Sequence, residues 1–305
     1  MTMNNRILKK IRENAKAYPE EIAVRYKNEE VTFKEFEEET NYIAYCLQGY
    51  ISSRNEPVII YQPRGVRFIE YMVGIMKCGC CYIPIEDNIP RQRLEYILDD
   101  VGAKIIISDD ERLNSIPSIS RISIKRNRRK EYVNADIKDE DLVYIMYTSG
   151  TSGVPKGVKI MYKNLENLIF SFEKILYGNF TSKKNVGVLA AFTFDSSVKQ
   201  IFNSLFYGHT LVIAEERTKY FGRSIHAFHE NNDIDICDVT PSILELMTRQ
   251  KTSIVSRTHF LLIGGENLRW ETLRNYISFV NYIPTFINLY GPMLSDALSP
   301  EPATI

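Results

Sequence analysis

Seven short apolar runs rich in β-branched residues punctuate the chain: EPVIIYQ, AKIIIS, DLVYIMYT, VGVLAAF, TLVIA, HFLLIGG and TFINLY. Each is separated from the next by helix-patterned or polar sequence. A strand buried on both faces needs helices on either side, and parallel neighbours need a crossover long enough to hold one. The expected fold class is therefore α/β, with layered, mostly parallel sheets and flanking helices. The intervening segments agree. Leu165, Leu168, Ile169, Phe172, Ile175 and Leu176 fall at i, i+3, i+4, i+7, i+10 and i+11 and make one apolar stripe. In PRQRLEYILDD, residues Leu94, Ile97 and Leu98 share a face, and Gly102 follows as a stop signal.

Charge and composition exclude several function classes. Lys+Arg and Asp+Glu are both 38, so no bulk electrostatic bias draws the chain to nucleic acid or to an acidic membrane. The start lacks a continuous apolar segment and no run reaches the ~18 apolar residues of a spanning helix, so a cytoplasmic protein is expected. The five cysteines are read as reduced thiols, and the CGCCY cluster as small buried groups, because no further ligand pair stands at metal spacing. His226 and His229 share a helix face, yet two ligands close no site, and they are expected to be ordinary surface histidines. No metal site is assigned. The stretch 115–141 concentrates Lys125, Arg126, Arg128, Arg129 and Lys130 and reads as a solvated connecting loop.

The stretch YTSGTSGVPKG, residues 147–157, carries the chemistry. A strand runs into a loop that can turn sharply at Gly150, Gly153 and Gly157, since glycine tolerates positive φ and lets a ligand approach the backbone. Successive N–H groups, the hydroxyls of Thr148, Ser149, Thr151 and Ser152, and the mobile charge of Lys156 suit a triphosphate. The spacing differs from G-x-x-x-x-G-K-[ST], which disfavours a P-loop kinase or GTPase.

This stretch resembles the phosphate-loop signature of the adenylate-forming superfamily, most closely of adenylation domains in nonribosomal peptide synthetases. Other motifs follow in the family's order: VTFKEFEEETNYIAYCL, MKCGCCYIPIEDNIPRQRLEYILDD, FTFDSSVKQIF, LLIGGENL and INLYGP. The resemblance implies ATP-dependent activation of an amino acid as its adenylate, with ATP and Mg²⁺ as companions and transfer to a carrier thiol. It places residues 148–153 and Lys156 at the phosphates, with Thr148 and Lys156 as the catalytic pair. Gly264, Gly265 and Glu266 would border the nucleotide, Asn288 would face the adenine and Tyr290 would stack on it. Asp195 would bind the substrate ammonium. Asp195, Ser196, Lys199, Asp238, Leu262, Gly264 and Leu289 would line the amino-acid pocket, whose pattern favours glutamate, then glutamine.

The sequence also departs from the family. After Tyr290-Gly291-Pro292 the family continues with Thr and a Mg²⁺-binding Glu, whereas this chain has Met293-Leu294. The Mg²⁺ site is thus expected to be incomplete, and the adenylation domain to be truncated, without its ribose-binding aspartate and C-terminal lid. The expected organisation is one unit over 1–292, made of an α/β part at 18–114, a linker-like stretch at 115–141 and a ligand-binding α/β part at 142–292, followed by an irregular tail at 293–305. Three functions are carried forward: an amino-acid-activating enzyme impaired in isolation or completed by a second polypeptide, a non-catalytic nucleotide-binding remnant, and an acyl-CoA synthetase-like ligase. No nucleic-acid or membrane partner is expected.

Overall fold

In the computed structural model, residues 5–131, 135–148, 155–249, 258–289 and 303–304 are described. The chain opens with α1 (Arg6–Ala17), β1 (Ile22–Tyr26), β2 (Glu29–Thr32) and α2 (Phe33–Leu47). It continues through β3 (Pro57–Tyr61), α3 (Val66–Lys77), β4 (Cys81–Ile85), α4 (Arg91–Val101), β5 (Ile105–Ile107) and β6 (Ser120–Ile122). A hairpin, β7 (Leu142–Thr148) with β8 (Lys156–Met161), leads to α5 (Tyr162–Ile175). Then come β9 (Asn185–Val188), α6 (Asp195–Tyr207), β10 (Thr210–Ile213), α7 (Gly222–Asn231), β11 (Ile236–Val239), α8 (Pro241–Thr248), β12 (Phe260–Gly264), α9 (Trp270–Phe279), β13 (Thr285–Leu289) and β14 (Ala303–Thr304).

Two sheets result. The first has strand order β6-β5-β3-β4-β7-β8, and the second β14-β13-β12-β11-β9-β10-β1-β2. Pairing is parallel except at β1–β2, β7–β8 and β13–β14. All seven runs read as strands contain one. Helices α1, α2, α3, α5 and α6 fill the space between the sheets around residues such as Leu8, Phe36, Met72, Leu165 and Phe202. Helix α4 covers the far face of the first sheet, and α7, α8 and α9 that of the second. The arrangement is five layers, α/β/α/β/α, and most central strands are apolar on both faces for that reason, β11 with Asp238 being an exception.

Local sequence explains the element ends. Thr32 and Glu35 cap α2 reciprocally: Glu35 N–H donates to Thr32 Oγ1 at 3.2 Å and Thr32 N–H to a Glu35 carboxylate oxygen at 3.0 Å. Helix α4 ends at Gly102, whose φ of +64° is the left-handed conformation that terminates helices. On α5, Leu165, Ile169 and Phe172 are buried as their spacing requires.

Two expectations need correction. His226 and His229 are buried, not on the surface. They face the α7–α8–α9 layer, where the His226 ring meets the Met247 carbonyl at 3.1 Å and His229 meets the Thr258 hydroxyl at 3.0 Å. A helix-face period cannot say which face is inside. The 115–141 stretch is not simply a solvated loop either. It contributes β6, paired parallel to β5, and its cations reach back to α2 and β2. Arg128 binds Glu35 at 2.7 Å, Arg126 binds Glu29, and the Arg129 guanidinium stacks over Tyr45 at 3.9 Å. The matching carboxylates stand about ninety residues upstream, where a composition window does not look.

The division at 18–114 and 142–292 is crossed in both directions. Strands β1 and β2 complete the second sheet through β1–β10, while β7 and β8 complete the first through β4–β7. The five cysteines are free, and burial pushes the Cys80 thiol up to about 12, which leaves it unreactive. Among the described residues no helix is long and apolar enough to cross a membrane.

Candidate functional site

Parallel strands end with their carboxyl ends on one edge, which is where open α/β sheets bind ligands. In the second sheet that edge gathers the turn into α6 after β9, the start of α8 after β11, the Gly264-Gly265-Glu266 turn after β12, and Leu289 at the end of β13. The hairpin β7–β8 closes one edge of the first sheet.

The glycine-rich loop springs from that hairpin. Thr148 and Lys156 are opposite one another in the antiparallel register, next to Tyr147 opposite Gly157. Lys156 is exposed and Thr148 half-buried. Ser149, Gly150, Thr151, Ser152 and Gly153 lie outside the described residues, as does Tyr290. The legs of the loop are tied to α4, since the Tyr96 hydroxyl donates to the Pro155 carbonyl at 3.2 Å and the Tyr147 hydroxyl to Asp100. Gly157 is needed there: a Cβ would stand 3.0 Å from an Ile145 methyl and 3.2 Å from the Tyr147 ring.

Asp195, Ser196 and Lys199 occupy the first turns of α6. Asp195 is exposed, and a carboxylate at a helix N-terminus is stabilised by the peptide dipoles. Lys199 reaches across to Asp238 on β11 in an ion pair, with 15% and 10% of the two side chains accessible. Burial pushes the Asp238 carboxyl up from its ordinary value; Lys199 and the Gln200 amide pull it down, and the charge of Asp195 adds to the rise. The phenol of Tyr144 on β7 is raised by burial and then by the same Asp195 charge.

The other residues that the resemblance assigns to the pocket are placed by strand periodicity. Asp238 is registered with Leu262, and Gly264 with Leu289. Leu262 and Leu289 belong with Ile236 and Ile287 to the apolar cluster under α5, so Asp238, Leu262, Gly264 and Leu289 fall on that face of the sheet. A Cβ on Gly264 would lie 2.9 Å from the Leu289 carbonyl oxygen, so only glycine lets β13 approach. Gly265 has φ +84°, a conformation that favours glycine. Asn288 is one residue out of phase with Leu289, opposite Ile263, and points to the α8–α9 side.

The Glu266 carboxylate sits at the start of α8, where it accepts from Ser242 N–H at 3.0 Å and from the Ser242 hydroxyl. It supplies an N-terminal helix anchor in place of a free group. Among the described residues no group of three or more His, Cys, Asp or Glu converges to hold a metal.

Sequence reasoning missed the groups that hold this edge together. Arg64, in the turn between β3 and α3, donates to the carbonyls of Val188, Ala190 and Ala214, and Glu86 after β4 approaches the Thr193 hydroxyl at 3.5 Å. The available signal is the Arg-Gly pair closing a buried strand in QPRG.

Residues 11–293 match the profile of the family described as AMP-binding enzyme. Surfactin synthase subunit 1 of Bacillus subtilis is 31% identical over 286 residues, 92% of this chain but 8% of that protein's length. The Klebsiella oxytoca NpsA N-terminal subdomain, solved with 3-hydroxyanthranilyl-AMSN, superposes with a TM-score of 0.77 at 18% identity, covering 93% of this chain and 72% of that one. The AMPPNP-bound form of the nonribosomal peptide synthetase FmoA3 superposes with a TM-score of 0.83 at 18% identity, over 96% of this chain and 32% of that one. At that identity the two solved structures establish likeness of fold.

Proposed function

On the premise that the chain belongs to the AMP-binding enzymes, we propose that it forms the nucleotide- and amino-acid-binding part of an ATP-dependent amino-acid-activating unit. In that reaction a substrate carboxylate oxygen attacks the α-phosphorus of ATP, the bond from that phosphorus to the pyrophosphate oxygen breaks, and pyrophosphate leaves. Charge builds on phosphate oxygens, so preorganised donors lower the barrier. Thr148 and Lys156 flank the loop assigned to the phosphates, and Asn288 and the Gly264–Glu266 turn border the nucleotide. Mg²⁺ is proposed to arrive with the triphosphate, since the described residues form no site of their own for it.

The observation that carries the reading is the Lys199–Asp238 ion pair, with Asp195 one helical turn from Lys199 on α6. A fatty acyl chain gains nothing from three charged groups, whereas an amino acid offers an ammonium to Asp195 and a polar side chain to Lys199. Glutamate is the proposed substrate and glutamine the runner-up. A carrier-protein thiol as acceptor, or a second polypeptide that completes the unit, belongs to the same proposal.

Met293-Leu294 at the position where the resemblance puts a metal-binding glutamate favours a second reading, in which nucleotide is bound but not cleaved. One experiment separates the two. ATP binding by calorimetry is followed by pyrophosphate release with each amino acid. Release stimulated by glutamate supports activation; binding without release supports the second reading; release with apolar amino acids at comparable efficiency overturns the assignment of Lys199.

A further inference from the structure

The segment that carries Asp195 to the site is short and lies beyond the last paired residues of its strand. Strand β9 ends at Val188, α6 begins at Asp195, and the six residues between them set where the first turn of α6 points. Arg64, on the other sheet, grips this segment. Its Nη2 donates to the Val188 carbonyl at 2.6 Å, its Nη1 to the Ala190 carbonyl at 2.6 Å, and its Nε to the Ala214 carbonyl at 2.8 Å. The guanidinium also lies over the Phe192 ring, 4.4 Å from its centroid, and Phe68 of α3 packs on that ring at 5.1 Å. Gly65 brings the turn in close, since a Cβ there would stand 3.3 Å from the Tyr26 ring of β1.

We propose that Arg64 is the positioning residue of the amino-acid pocket, fixing residues 188–194 against the ends of β9 and β10 so that Asp195, Ser196 and Lys199 face Asp238. The pocket role of Asp195 and Lys199 rests on the function proposed above; the grip on residues 188–194 does not. The chemistry selects arginine. A planar fork with five donors meets three carbonyls from two strands at once, whereas an ammonium is a point charge with no such fork. Burial pulls the group down to about 10, so it remains a cation at neutral pH. Its charge is met by carbonyl dipoles and a ring face, with the charge of Glu216 adding to its stabilisation.

The test compares wild type with Arg64→Lys and Arg64→Ala by amide hydrogen exchange, thermal unfolding, and calorimetric titration with L-glutamate, L-glutamine and ATP. Losing charged hydrogen bonds to three carbonyls is expected to speed exchange across 189–196 by about tenfold or more, with the rest of the chain little changed. The glutamate dissociation constant is expected to rise by about tenfold or more and that of ATP by less than about threefold. Millimolar guanidinium is expected to restore part of both losses in Arg64→Ala, which a purely global destabilisation does not allow. Exchange at 189–196 equal to wild type overturns the proposal, as does a uniform rise through the chain with both ligands weakened in proportion. Wild-type protein that binds neither amino acid overturns the pocket reading, and the exchange comparison alone then decides the role of Arg64.

Discussion

At the scale of single residues, the Lys199–Asp238 pair is the part of the site most sensitive to substitution. Replacing Asp238 by Asn removes one charge and leaves the ammonium of Lys199 in a half-dry position, so a loss of about 2–4 kcal/mol in urea unfolding is expected. The double change Lys199→Leu with Asp238→Leu is expected to recover most of that stability while abolishing any preference for glutamate, measured in the same titrations. The buried histidines make a second residue-scale prediction. Burial pulls His209 down to about 4 and His229 to about 3, below the value near 6.5 of an unfolded chain. Between those limits the unfolded state binds more protons than the folded one. Stability therefore rises with pH through this window and is lost as pH falls from about 6.5 toward 4, by about 3 kcal/mol for each histidine. Urea midpoints measured from pH 7.5 to 4.5 check this, and His229→Asn is expected to flatten the slope. A sequence names these histidines but carries nothing of their surroundings, which are Tyr177, Phe180 and Lys184 for His209 and Thr258 for His229.

At the scale of elements, glycines mark where strands and helices approach most closely. Gly74 lets α3 lie against α2: a Cβ there would stand 2.4 Å from an Ile43 methyl. Gly74→Ala is expected to cost about 2 kcal/mol, read from the denaturation midpoint. Gly264→Ala strikes the Leu289 carbonyl instead and displaces β13, so nucleotide and amino-acid affinity are expected to fall together. The strands legible in the sequence are those with uninterrupted β-branched runs. Strand β4 reads CYIPI and is harder to see, because Pro84, its fourth residue, sits inside it opposite Ile60, where a proline argues against a strand. Strand β11 is ICDV, and its aspartate interrupts the apolar run that would mark a buried strand.

At the scale of the molecule, two sheets share one inter-sheet helical layer and exchange strands across the chain order. Helix α1 packs in that layer, and β1 supplies the neighbour of β10. Deleting residues 1–32 is expected to uncover the β10 edge and abolish cooperative thermal unfolding, although the deleted stretch contains none of the proposed ligand contacts. The α/β class and the crossover helices were determined by the sequence alone, because periodicity is a local property that survives whatever the rest of the chain does. The Lys199–Asp238 pair was expected from the cost of two unpartnered charges in an apolar setting and is present, whereas the burial of His226 and His229, the strap of arginines along α2 and the grip of Arg64 on residues 188–194 were decided only by tertiary structure. Each joins groups from 21 to about 150 residues apart, and only packing sets which of many possible partners is met.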